Sequence, residues 1–228
     1  MFGTISDICR EIKNAMKYLM ILLSFVLTSS LMYAQDAKAQ GILDKLSSKI
    51  KSQKSFYVEF SANITNSSSG KNETFTGKGW VKGDKFYASY GENTIISNGV
   101  KTWNVVKEEK TVYETSASDD DSESMNPKKL LTIWESGFKN KYEKEEKLGG
   151  EMVHVIYLHP KNPKTADYHT IILYIGKSDN ELKKAIMKSN DGTKMIYSMT
   201  KFTSNPTIED SKFTFDIKKY PGYEVVKD

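Results

Sequence analysis

The chain has 228 residues, of which 38% are hydrophobic and 27% charged, with 33 Lys and Arg against 29 Asp and Glu for a net charge of +4. That balance is too even for nucleic-acid binding, and the lysines are scattered among acids as on an ordinary solvated surface. One cysteine, Cys9, excludes a disulfide framework.

The N-terminus predicts export. From Met16-Lys17 an apolar stretch runs from Tyr18 through Leu31 to Met32-Tyr33-Ala34, followed by the polar Gln35-Asp36. A short positive segment, an apolar core and a small residue at the cut are the parts of a secretory signal peptide. An uncleaved membrane anchor is the alternative; the serines and threonine in a run that is short for a span argue against it. Met16 with Lys17 begins a complete signal, so residues 1–15 read as preceding the true start. Cys9 falls there with no apolar core before it, which removes it as an acylation site. The expected product begins at Gln35, is soluble in a bacterial periplasm and forms one domain over 35–228. Loss of Arg10, Lys13 and Lys17 against Asp7 and Glu11 leaves it 30 basic and 27 acidic residues, or +3.

Just beyond the cut, Ala39, Leu43, Leu46 and Ile50 recur at helical spacing, with Asp44, Lys45, Ser48, Lys49 and Lys51 on the other side. This predicts an amphipathic helix. Its apolar face has no large aromatic anchor, which favours packing on a sheet over lying on a membrane surface. From Ser55 the pattern changes to period two: Phe56, Val58, Phe60, Ala62 and Ile64 alternate with Tyr57, Glu59, Ser61 and Asn63. About eleven strands are expected, over 55–65, 73–82, 85–90, 94–97, 101–106, 111–115, 141–148, 151–158, 168–175, 182–188 and 193–203. Turn signals such as Asn98-Gly99 and Gly149-Gly150 tolerate the positive φ of tight hairpins, so neighbouring strands join as an antiparallel meander. Between the sixth and seventh strands, Asn126 is a good N-cap, Pro127 fits the first helical position and Gly137 suits a left-handed end. Leu130, Leu131, Ile133 and Trp134 form an apolar arc there. It is either an ordinary core helix or a lid across the mouth of a barrel.

No catalytic constellation is present: there is no GxSxG, P-loop or GxGxxG. His154 shares a parity with Met152, Ile156 and Leu158, and His169 with Ile171, Leu173 and Ile175. Without an HExxH or cysteine partner both read as hydrogen-bonded core or rim residues rather than metal ligands, and His159-Pro160 closes a strand. Asp119-Asp120-Asp121-Ser122-Glu123 lacks the ligand spacing and central glycine of a calcium loop and reads as a solvated segment suited to the positive end of the second helix. Asn63-Ile64-Thr65 and Asn72-Glu73-Thr74 are glycosylation sequons only in a eukaryote. The expectation is a binding protein with no catalytic residue, no metal and no cofactor; a hydrolase using the histidines is the rival.

In order along the chain, the exported leader, the amphipathic helix, Trp80-Val81-Lys82 and Ile96-Ser97-Asn98-Gly99 before Trp103 are followed by Asn126-Pro127 and a closing Asp210-Ser211-Lys212-Phe213-Thr214-Phe215. The set resembles the periplasmic outer-membrane lipoprotein carrier family LolA, over essentially the whole mature chain. The resemblance implies a mainly β fold, an unclosed antiparallel β-barrel (half-barrel) covered by lid helices. It implies a monomeric carrier that takes triacylated lipoproteins from an inner-membrane ABC-type complex and delivers them to an outer-membrane acceptor. By position it implies an acyl cavity and lid formed by Phe86, Ala88, Ile95, Leu130 and Leu131; Trp134 is added from the helical arc. Proteobacterial members carry an arginine after the Trp-Val-Lys segment that ties sheet to lid. This chain has Gly83 there, between Lys82 and Lys85, so the lid would be held more weakly or by one of those lysines. A periplasmic lipid or lipoprotein sensor on the same half-barrel is the alternative function.

Overall fold

The computed structural model describes residues 36–117 and 132–227. Helix α1 is described over 36–51 and buries Ala39, Ile42, Leu43, Leu46 and Ile50, the stripe that the helical spacing picks out. The strands follow as β1 (Ser55–Asn66), β2 (Lys71–Lys82), β3 (Lys85–Tyr90), β4 (Asn93–Ser97), β5 (Lys101–Val106) and β6 (Thr111–Ser116). The second half holds β7 (Phe138–Leu148), β8 (Glu151–Pro160), β9 (Tyr168–Gly176), β10 (Leu182–Ser189), β11 (Thr193–Ser204) and β12 (Glu224–Lys227). All eleven expected strands are present, each end within three residues of expectation. The addition is β12, four residues too short to show a period, which pairs parallel to β6 while every other pair is antiparallel.

The sheet order is β12-β6-β5-β4-β3-β2-β1-β11-β10-β9-β8-β7, and β7 and β12 are free edges, so among the described strands the barrel is not closed. The β7 edge is guarded by charge: Lys139, Lys141, Glu143, Lys144, Glu145, Glu146 and Lys147 leave little apolar surface to template another strand. Among the described residues no helix is long and apolar enough to cross a membrane.

Alternation gives the sheet two different faces. The inner face joins α1 in one core containing Phe56, Val58, Val81, Phe86, Ile95, Ile156, Leu158, Ile171, Leu173, Ile175 and Met187. On the outer face, register aligns Tyr57, Trp80, Tyr87, Ile96 and Trp103 in a row across β1 to β5. The closing segment crosses that row. Lys212 places its ammonium 3.8 Å from the Trp80 ring and 4.1 Å from the Tyr87 ring, and Phe215 stacks between Trp103 at 5.5 Å and Tyr220 at 5.6 Å. Phe213 between them is 1% exposed. The Ser-Lys-Phe-Thr-Phe motif is therefore a strap across the outside of the half-barrel.

Of the second expected helix, the described part is a single 3-10 turn, Ile133–Glu135. Asn126, Pro127, Leu130 and Leu131, and the acidic run 119–123, lie outside the described residues.

Candidate functional site

The open side of the sheet is covered by α1 and by the Ile133–Glu135 turn, which are fastened to each other. The Trp134 indole N–H donates to Ser47 Oγ at 2.8 Å, and Lys51 pairs with Glu135 at 2.8 Å. The Lys51 ammonium holds the Glu135 carboxyl below the usual carboxylate range. Farther along α1, Lys49 donates to the Asp179 carbonyl at 2.9 Å and pairs with Glu181 at 2.8 Å, tying the helix to the β9–β10 turn.

Beneath this cover lies a cavity of about 80 Å³, lined by Val58 and Phe60 of β1, Ile171 and Leu173 of β9, Leu182, Ala185 and Met187 of β10, Tyr197 and Met199 of β11, and Ile133. Local sequence shapes this wall in three ways. A bulge in the β1–β11 pairing leaves Thr200 unmatched, with Phe202 opposite Val58 and Met199 opposite Phe60, so both Met199 and Phe202 turn inward. Gly77 on β2 leaves room for the Phe60 ring: a Cβ there would stand 2.2 Å from a ring carbon. Ala62 and Ala185, in register on either side of Tyr197, keep the strands beside that ring low. Apolar cavities of this order stay dry, so entering hydrocarbon displaces little ordered water.

Among the described residues the wall contains no charged side chain, and its one hydroxyl, on Tyr197, donates to Met195 Sδ at 3.7 Å. It has no acid, base or nucleophile, which suits holding hydrocarbon. Met187 and Met199 on the wall, with Met195 behind Tyr197, supply unbranched side chains that can repack around a guest.

Of the residues named from sequence, Phe86 and Ile95 lie in the inner core and Ala88 shares their face, all three buried. They stand on β3 and β4, to one side of the cavity. Trp134 is 5% exposed and bonded to α1, while its neighbour Ile133 reaches the cavity. Leu130 and Leu131 lie outside the described residues. The sheet positions that the family resemblance implies lie on β3 and β4, and the β9–β11 wall is not among them. The available signal was the recurrence of Met187, Met195, Tyr197 and Met199 on inward parities.

Among the described residues, the lysines beside Gly83 hold the strap. Lys82 Nζ donates to the Ile208 carbonyl at 3.0 Å and to Asp210 Oδ1 at 2.8 Å, and Lys85 Nζ to Asp210 Oδ2 at 3.0 Å. His154 stands at the β7–β8 rim with Nδ1 3.2 Å from the Tyr142 hydroxyl and 3.7 Å from Glu145. His169, expected on the inner parity, is exposed and meets Thr170 Oγ1 at 2.9 Å, because a register shift at the start of β9 turns Tyr168 inward instead. Among the described residues no group of three or more His, Cys, Asp or Glu side chains is placed to hold a metal ion.

A family model described as "Outer membrane lipoprotein carrier protein LolA" matches residues 51–216. No curated protein matches the chain. Among solved structures, an uncharacterised conserved protein from Thermus thermophilus aligns with a TM-score of 0.53 at 14% identity, over 84% of this chain and 99% of its own. A putative outer membrane lipoprotein-sorting protein domain from Vibrio parahaemolyticus aligns at 0.44 and 13% identity, over 78% of this chain and 97% of its own. The lipoprotein LppX of Mycobacterium tuberculosis aligns at 0.45 and 11% identity, over 75% and 99%.

Proposed function

The chain belongs to the LolA family of outer membrane lipoprotein carriers, whose model spans most of it, and from that premise we propose that it carries the acyl chains of triacylated lipoproteins in the cavity between β1, β9, β10 and β11. The observation that supports this reading best is the wall itself: ten described side chains, none charged, with a single hydroxyl turned to a thioether. At about 0.8 kcal/mol per buried methylene, one acyl chain of some sixteen carbons holds a lipoprotein in its membrane by roughly 10 kcal/mol, so a mobile apolar shelter has to replace the bilayer.

In this proposal the mature chain starts at Gln35 and works in the periplasm as a monomer, without catalysis. It is loaded by an inner-membrane ABC-type lipoprotein-releasing complex and discharged to an outer-membrane acceptor. Phe86, Ala88, Ile95 and Trp134 extend the apolar wall for a longer or second chain, and Leu130 and Leu131 belong to the lid on the strength of the family resemblance.

The test is binding of an environment-sensitive fluorescent fatty acid to the purified mature domain, followed by displacement with a triacylated lipopeptide. Fluorescence should rise on binding and fall on displacement. A probe that stays dark, together with lipopeptide that leaves the amide shifts of Val58, Leu173 and Met199 unchanged, would show that the cavity is a packing void and the reading is wrong.

A further inference from the structure

Tyr197 is the exception in the cavity wall. Register sets it between Ala62 of β1 and Ala185 of β10, so its ring stands above small neighbours, 6.0 Å from the Phe60 ring. Its hydroxyl donates to Met195 Sδ at 3.7 Å, and a thioether is a weak acceptor. No other described lining side chain carries a polar hydrogen. Burial pushes the Tyr197 hydroxyl up, with Tyr168 and Tyr90 adding to the effect, so it stays a neutral donor across the physiological range. The donor thus belongs to a wall residue, is turned to Met195 just outside the described lining, and has a partner that it can give up at little loss.

What the hydroxyl could accept as a partner is narrowed by what the wall lacks. A free carboxylate would enter without a cation to meet it among the described lining residues, and an unpaired buried charge is strongly unfavourable. An amide-linked chain brings an N–H as well as a carbonyl, and the acceptors that the described wall offers it are weak: the same Tyr197 oxygen and the thioethers of Met187 and Met199. An ester brings acceptors alone, which matches one donor and no strong acceptor.

We propose that Tyr197 is the specificity-determining residue of the cavity, its hydroxyl donating to the carbonyl of an ester-linked acyl chain whose hydrocarbon lies along Val58, Leu173 and Met199. This rests on the carrier reading and goes beyond it by naming the linkage recognised. The thioether bond is exchanged for a stronger one to a carbonyl oxygen, and the guest is oriented with its ester toward β11.

The test compares three matched chains, methyl palmitate, n-octadecane and N-methylpalmitamide, as displacers of an uncharged environment-sensitive dye. The wild type should bind the ester about five-fold tighter than the alkane, the margin of one net hydrogen bond, and the amide no tighter than the alkane. Tyr197→Phe should erase the ester preference and leave alkane affinity unchanged. Equal binding of ester and alkane by the wild type, an amide as tight as the ester, or a preference that survives Tyr197→Phe overturns the proposal while leaving the carrier reading standing. If none of the three displaces the dye, the carrier reading fails and takes this inference with it. Should Tyr197→Phe melt below the wild type, Met195→Leu asks the same question. Removing the thioether frees the hydroxyl, so the ester preference should rise, and an unchanged or smaller preference refutes the role.

Discussion

Ile133 offers the sharpest separation of carrying from folding. It is half-buried on the turn that covers the cavity, touching both the inner core and the cavity space. In Ile133→Glu the carboxylate reaches water while the cavity is empty, so folding should lose little beyond about 1–2 kcal/mol of apolar burial. When hydrocarbon fills the cavity the charge has to be desolvated or neutralised, and protonation caps the penalty. At pH 7, neutralising a carboxyl of ordinary pKa near 4.3 costs about 3.7 kcal/mol, a loss of affinity of roughly 500-fold. The sign follows from the raised pKa of the occupied state: the penalty grows as pH rises above the free value and shrinks below it. At pH 5 it should be only about 1 kcal/mol, or roughly five-fold.

Leu173→Glu is the contrasting change. Leu173 lines the same cavity but is 1% exposed, deep in the inner core. There the same charge penalty falls on folding itself, added to about 2–5 kcal/mol for the lost side chain. That is a large fraction of the roughly 5–15 kcal/mol that holds a domain of this size. Thermal melting and titration with the fluorescent fatty acid at pH 7 and pH 5 read both effects. Ile133→Glu should melt near the wild type and recover most of its affinity at pH 5, whereas Leu173→Glu should be largely unfolded. An Ile133→Glu protein that melts as low as Leu173→Glu, or one that is stable and binds normally at pH 7, would refute the placement of Ile133 at the mouth.

Phe213→Ala should lower stability in urea by about 3–5 kcal/mol, because Phe213 is the almost fully buried side chain of the strap, while the folded fraction keeps its probe affinity because the strap lies on the outer face. His154 has its pKa pushed below 6.5 by burial, against the pull of Glu145 and with Lys38, Lys177 and Lys45 adding to the lowering. The unfolded chain therefore takes up this proton first, and stability present above pH 6.5 is lost as pH falls from there toward the folded value. The fall in Tm between pH 7.5 and 5.5 should be smaller in His154→Gln than in the wild type; an equal or steeper fall would refute the assignment.

Much of this architecture could be read before any coordinates, because one rule applies throughout: where one face is buried, parity fixes the strand. The stripe Ala39, Leu43, Leu46 and Ile50 and the alternation in β1 are seen in the structure as read. Parity failed where a bulge changes its phase. At the start of β9 a register shift exchanges His169 for Tyr168 on the inner face, and in β11 the unmatched Thr200 brings Met199 and Phe202 to the same side. Such shifts depend on pairing with a distant strand and leave no local trace. β12 was missed for a similar reason, since four residues gain their conformation from β6 and from the aromatic stack beneath the tail. The cavity was the hardest feature to see. Its wall joins β1 to β9, β10 and β11, strands far apart in sequence, and its residues are of the same types as the core around it.

The energetics of the cover indicate which part of it yields to a guest. α1 buries five apolar side chains in the inner core, together on the order of 10 kcal/mol at about 1.5–3 kcal/mol for each large one, and its lysines add ties to the β9–β10 turn. Among the described residues the Ile133–Glu135 turn is held by somewhat less: one indole hydrogen bond to Ser47, worth about 1 kcal/mol, one ion pair open to solvent, worth about 1 kcal/mol at most, and the burial of Trp134, worth about 4–6 kcal/mol. Ile133 is the residue of that turn on the cavity wall. A chain that gains about 0.8 kcal/mol for each methylene sheltered offsets these attachments of the turn within about ten carbons, and needs more of its length to offset those of α1 with its lysine ties. On the carrier reading proposed above, this asymmetry favours displacing the turn before the helix, and Ile133 moves with the element that yields more easily.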